Sequence, residues 1–122
     1  MIRIIHAADL HLDSPFESLD AEKAAVRRSE QRALLERIAA EGNQRNADLL
    51  FLAGDLLDSG SAYAETGEAL LAALGKVRVP VFIAPGNHDY AAAGSAYRTA
   101  EWPENVHIFT ESAVSAFEFP EL

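Results

Sequence analysis

At 122 residues, 49% apolar and 24% charged, the chain suffices for one domain with its own core and is not of the disordered class. A net charge of −9 excludes a protein that grips nucleic acid by bulk positive charge. The lack of cysteine excludes disulfides and thiolate metal sites and fits a reducing cytoplasm. No apolar run approaches the ~20 residues of a membrane span, and the opening Met1-Ile2-Arg3-Ile4-Ile5-His6 lacks the charged-then-apolar order of a secretion signal.

In chain order, residues 2–7 predict a first strand, because Ile2, Ile4 and Ile5 supply β-branched bulk in a run too short for a helix. A loop over 8–19 is closed off by Ser14-Pro15. Asp20 is the expected N-cap of a long helix reaching about Asn46, with Glu22 in its first turn. Its apolar pairs are Leu34 with Ile38 and Leu35 with Ala39, and Gly42-Asn43 is the expected end of its regular part. Residues 22–45 hold six of the ten basic residues against four glutamates, a net of +2 that reads as a solvated helix face.

Residues 48–53 are apolar without alternation, as in a strand covered on both faces. Strand, helix and strand predict a right-handed βαβ unit with parallel strands. After a loop over 54–61, a second helix is expected from Ala62 to Lys76, with Leu70, Leu71, Leu74 and Val77 as its buried stripe. Pro80 opens a third strand, Val81 to Ala84, and a ligand loop over 85–94 follows. Ala96 to Glu101 predicts a short helical turn stopped by Pro103. Val106 to Phe109 and Ala113 to Phe119 predict two further strands, antiparallel to each other. The chain ends on what reads as a strand end with no helix after it, as at a boundary inside a larger domain. The predicted class is α/β, a layered mixed β-sheet with flanking helices.

Each of the first three strands runs into polar residues: Asp9-Leu10-His11, Gly54-Asp55-Leu56-Leu57-Asp58 and Gly86-Asn87-His88-Asp89. Open α/β sheets place their ligands at this carboxyl edge. Carboxylate, amide oxygen and imidazole without thiol suit Mn, Fe, Zn or Mg. Extended backbone would point Asp9 and His11 to one side. Asp55 follows a buried strand through a glycine, and its two oxygens can bridge cations ~3.5–4 Å apart. Asn87 offers a neutral carbonyl oxygen, and His88 can deliver a proton near neutral pH. Taken singly, these residues read as readily as capping aspartates, turn residues and a surface histidine. Their coincidence after three successive strands is what favours a metal centre.

In these motifs the sequence resembles the calcineurin-like metallophosphoesterase superfamily, whose opening motifs are D-x-H, G-D-x-x-D and G-N-H-D/E. The stretch Ile5 to Phe16 further resembles the DNA repair exonuclease branch, the SbcD-like and YhaO-like nucleases. The resemblance covers essentially the whole chain and implies the N-terminal part of a metallophosphoesterase domain with two divalent ions, Mn2+ foremost. It implies that Asp9 and His11 bind the first ion, Asp55 bridges both and Asn87 binds the second. His88 would be general acid or transition-state stabiliser, with Asp58 hydrogen-bonded to it. Asp89 would brace the loop without a chemical role. The implied partners are DNA and an ATPase subunit. An uncovered sheet predicts pairing with another copy.

The family completes its site with later histidines, one alone and then a G-H-x-H pair, and neither occurs here. After His88 the only histidine is His107, which reads as a strand-surface residue, and His6 likewise reads as no ligand. With only Asp55 and Asn87 for the second ion, this chain alone is expected to show little or no nuclease activity. The rival expectations are a phosphomonoesterase or protein phosphatase of the same superfamily, and a non-catalytic metal-binding or partner-docking piece.

Overall fold

The computed structural model describes residues 1–59 and 64–122. Four strands, β1 (Ile4–Ala7), β2 (Leu49–Ala53), β3 (Val81–Ala84) and β4 (Val106–Ile108), form one sheet in the order β1-β2-β3-β4. Helices α1 (Ala21–Gln44), α2 (Ala64–Gly75) and the short α3 (Ala96–Thr99) lie between them. The expected start of the second helix at Ala62, and the end of the loop over 54–61, lie outside the described residues. The α/β class stands. The sheet, however, is wholly parallel.

The expected antiparallel pair is not formed. Val106–Ile108 pairs parallel with β3, because the long connection over 85–105 returns the chain to the same end of the sheet, as parallel pairing requires. Ala113 to Phe119 is no strand. Instead Phe117 and Phe119 set their rings against Phe82, at 4.9 and 6.0 Å between centroids.

Strand alternation sorts the side chains onto two faces. Leu50, Leu52, Val81 and Ile83 join Leu35, Ala39, Leu70, Leu74 and Val77 in the buried core, with Ile5, Ala7, Val106 and Ile108 packed against it. The ladder aligns His6, Phe51, Phe82 and His107 in one row across the sheet, on the opposite face by the same alternation. There, a groove of about 530 Å³ is lined by His6, Phe51, Phe82, Phe109, Phe117 and Phe119 among others. The absence of polar alternation in β2 thus has its expected cause, contact on both sides.

Asp20 caps α1 as expected: its backbone is extended and its carboxylate accepts from the Lys23 N–H at 2.9 Å. Of the expected apolar pairs, Leu35 and Ala39 are buried, whereas Leu34 faces solvent. Gly42 does not end the helix but lies buried within it. The terminator is Asn46, at φ 51°. The Ala47 N–H reaches the Gly42 carbonyl at 2.9 Å and the Asn46 N–H reaches the Asn43 carbonyl at 3.3 Å. This pair of bonds satisfies the last carbonyls of the helix, with asparagine in the left-handed position usually held by glycine. Among the described residues, no helix is long and apolar enough to cross a membrane.

Candidate metal centre

The loops after β1, β2 and β3 are stitched edge to edge. Asp9 N–H donates to the Gly54 carbonyl at 3.0 Å, His11 N–H to Asp55 at 2.9 Å and Leu12 N–H to Leu56 at 2.9 Å. Gly54 N–H donates to the Ala84 carbonyl at 2.8 Å. The parallel ladder therefore continues past the strands and carries the polar residues with it. Their backbone is not extended, as the D-x-H spacing suggested. Asp9, His11, Asp13 and Asp55 have φ of 56°, 47°, 68° and 48°, a left-handed region that aspartate and histidine tolerate better than most residues. Strain of this kind, held by surrounding hydrogen bonds, gathers at functional sites.

The structure brings part of the expected set together around His11. His11 Nε2 lies 4.0 Å from Asp9 Oδ1 and 3.9 Å from Asp55 Oδ2, beyond hydrogen-bond reach. Two donors each ~2.0–2.2 Å from a shared cation sit no more than about 4.4 Å apart, so each of these two separations fits a cation shared by that pair. Asp9, however, is not part of the three-residue group that the described side chains form. Ligand atoms of His11, Asp55 and His88 all lie within 4.8 Å of one another. The donor set is hard oxygen and imidazole nitrogen, which fits a divalent first-row or alkaline-earth ion. Asn87 is exposed on the rim beside His88, and no hydrogen bond joins it to the other described residues of the cluster. His6 and His107 lie back along the strands, and among the described residues neither joins a metal-binding group.

The expected hydrogen bond between Asp58 and His88 is not formed. Asp58 Oδ1 instead lies 3.0 Å from His11 Nδ1. A carboxylate there holds the proton on Nδ1, which leaves Nε2 as the lone pair facing the gap. His88 is taken by Asp55, whose Oδ2 lies 3.0 Å from His88 Nδ1 and whose Oδ1 accepts from the His88 backbone N–H at 3.0 Å. The reason is reach. The loop after β3 is hydrogen-bonded to Asp55 itself, whereas Asp58 lies along the side bordered by the 9–12 loop, its N–H on the Leu12 carbonyl at 2.8 Å.

This pairing shifts both groups. The hydrogen bond to the Asp55 carboxylate, and then its charge, raise the His88 imidazole above its ordinary range. The bonds from the His88 backbone N–H and side chain lower Asp55 below the usual carboxylate range. A raised histidine stabilises the fold while protonated and loses that contribution as pH rises through its folded value. A lowered carboxylate stabilises it while ionised and loses that contribution as pH falls through its own. Together they favour the fold between about pH 4 and 6.5. In metal-free protein, His88 is expected to titrate above an ordinary histidine by NMR. Asp55→Asn should return it downward, and an unshifted His88 in the unsubstituted chain would contradict this pairing.

Two residues that sequence reasoning passed over also hold the loops. Gln31 of α1 donates through Nε2 to the carbonyls of His11 at 3.1 Å and Leu10 at 3.3 Å. Tyr97 of α3 is buried and donates its hydroxyl to Asp89. Burial, and then the bond to Asp89, push that hydroxyl far above its usual range. No spacing rule marks Gln31. Tyr97 was signalled only by its place in the predicted helical turn.

A parallel sheet whose strand ends gather carboxylates and imidazoles at one edge defines an α/β domain with a candidate metal centre. The calcineurin-like phosphoesterase family model matches residues 2–120, and the chain belongs to that family. It is 34% identical over 117 residues to the uncharacterized metallophosphoesterase YhaO of Bacillus subtilis (strain 168). The match covers 91% of this chain and 28% of that relative's length.

Proposed function

We propose that the chain supplies the metal-holding and proton-handling front part of a two-metal phosphodiesterase centre, and that the whole protein is a DNA exo- or endonuclease of the repair type. The observation that carries the reading is the set of 4.0 and 3.9 Å separations around His11 Nε2, where two carboxylates face an imidazole lone pair without bonding to it. Divalent ions, Mn2+ foremost, would supply charge stabilisation and an activated water when bound.

The residues of the chain divide the work. Asp9, His11 and Asp55 bind, and Asn87 offers a carbonyl oxygen at the rim. Asp58 fixes the His11 tautomer through Nδ1. His88 holds a proton at Nδ1 against Asp55, so Nε2 is the atom left to face a leaving oxygen. The similarity to YhaO supports a metallophosphoesterase, and the texture of residues 5–16, which resembles the DNA repair exonuclease branch, supports the nuclease reading. An ATPase partner and a cytoplasmic setting belong to the same proposal.

The test compares this chain and the full-length Bacillus subtilis relative, with excess Mn2+, on linear DNA, bis-p-nitrophenyl phosphate and p-nitrophenyl phosphate. The relative is expected to cleave DNA and to prefer the diester. The chain alone is expected to turn over far more slowly, because the later ligand motifs of the family do not occur in it. Preference for the monoester would replace the nuclease by a phosphatase. Turnover by the chain equal to that of the relative would show that it needs no further ligands.

A further inference from the structure

Asp89 stands outside the metal cluster and is fully buried. A buried ionised carboxylate costs several kcal/mol unless donors surround it, and Asp89 has three. Its Oδ1 accepts from the Gly86 backbone N–H at 2.6 Å. Its Oδ2 accepts from the Leu57 backbone N–H at 3.0 Å and from the Tyr97 hydroxyl. Gly86 lies two residues before His88, and Leu57 two residues after Asp55. One carboxylate therefore grips both loops of the centre and ties them to α3.

We propose that Asp89 is a positioning residue of the metal centre, setting the approach of the Asp55 loop to the His88 loop, with Tyr97 orienting its carboxylate. The proposal rests on the metal-centre reading above. The chemistry of the grip is specific to a carboxylate. The two backbone N–H groups come from different loops and each takes a different oxygen of the one carboxylate, Gly86 on Oδ1 and Leu57 on Oδ2. Asparagine has one oxygen, so its NH2 would oppose one of those donors, and the loops would part at Leu57 or at Gly86. Glutamate would hold both but push them apart by the length of a methylene. Asp55 and His88 already touch at 3.0 Å, so a shift of a few tenths of an ångström in either loop changes the separations on which a shared ion depends.

The test measures Mn2+ affinity by calorimetry, with the thermal midpoint of each variant alongside. Asp89→Asn is expected to weaken binding by about tenfold, the low end of what losing a group bonded directly to a ligand costs, because Asp89 acts on the ligand loops through their backbone. Tyr97→Phe keeps the carboxylate and should weaken binding several-fold. Leu74→Ala, in the core and outside the centre, should lower the midpoint and leave affinity unchanged, which separates positioning from stability. Affinities for Asp89→Asn and Tyr97→Phe within twofold of the unsubstituted chain overturn the proposal. If Asp89→Asn does not fold, Tyr97→Phe decides: weakened binding supports it and unchanged binding overturns it. If the unsubstituted chain binds no Mn2+, the metal reading fails and the proposal falls with it, a result distinct from binding that ignores Asp89.

Discussion

Replacing Asp55 with asparagine is expected to weaken Mn2+ binding by more than the ~10–100-fold that outer-shell changes cost, while the fold persists. Asparagine is the informative choice because Asp55 sits at φ 48°, a conformation that asparagine shares and alanine resists. The shape of the side chain is kept, and so is one acceptor for the His88 N–H. What is lost is the charge and the second oxygen. In the metal-free protein the bonds from His88 hold the Asp55 carboxylate below its usual range, so removing its charge loses the stabilisation that this pairing gives. The thermal midpoint without metal should therefore fall slightly between about pH 4 and 6.5, where both partners are charged. The midpoint gained on adding Mn2+ should fall, because ligand stabilisation follows affinity. Calorimetry and thermal denaturation with and without Mn2+ read both effects. Unchanged affinity in Asp55→Asn would place the ion elsewhere and remove the centre.

Gly86→Ala is expected to disable the same centre by steric means. A Cβ at position 86 would lie 2.2 Å from Asp55 Oδ1, 2.7 Å from its Cγ and 2.6 Å from its backbone nitrogen. The side chain can turn away, but the backbone nitrogen cannot, since the strand ladder holds the Asp55 loop on both sides. The β3 loop must therefore retreat, taking the His88 contact and the Asp89 grip with it. Overpacking of this kind costs about 1–3 kcal/mol, and Mn2+ affinity should fall at least as far as in Asp55→Asn. Gly67→Ala is the matched control. It lies inside α2 with nothing within 4 Å of the added Cβ, so it should stabilise the fold by about 0.5–1 kcal/mol and leave affinity alone. A Gly86→Ala chain that binds Mn2+ as tightly as the unsubstituted one would mean that the two loops do not meet as described.

The sequence alone determined the first three strands, the start of α1 and the candidate site residues, but not the end of the sheet, where Ala113 to Phe119 forms no strand. Short apolar runs ending in Asp, Gly-Asp or Gly-Asn-His announced three strands that deliver candidate ligands to one edge, and Asp20 announced the start of α1. These are readings over a few neighbouring residues, where turn chemistry and side-chain period act directly. They also sufficed for the α/β class and the family.

Only the tertiary structure decided which groups touch. His11 and Asp58 are 47 positions apart, and Leu57 and Asp89 are 32 apart. Such contacts follow from the register of the parallel ladder, and a slip of one residue would reverse every side chain on a strand. Spacing therefore could not tell that Asp58 serves His11 rather than His88. Nor could it tell that Gly86 is pressed against Asp55, or that Ala113 to Phe119 gives its rings to the sheet face instead of pairing as a strand. Local chemistry proposes a site, and the register of distant strands assigns the partners within it.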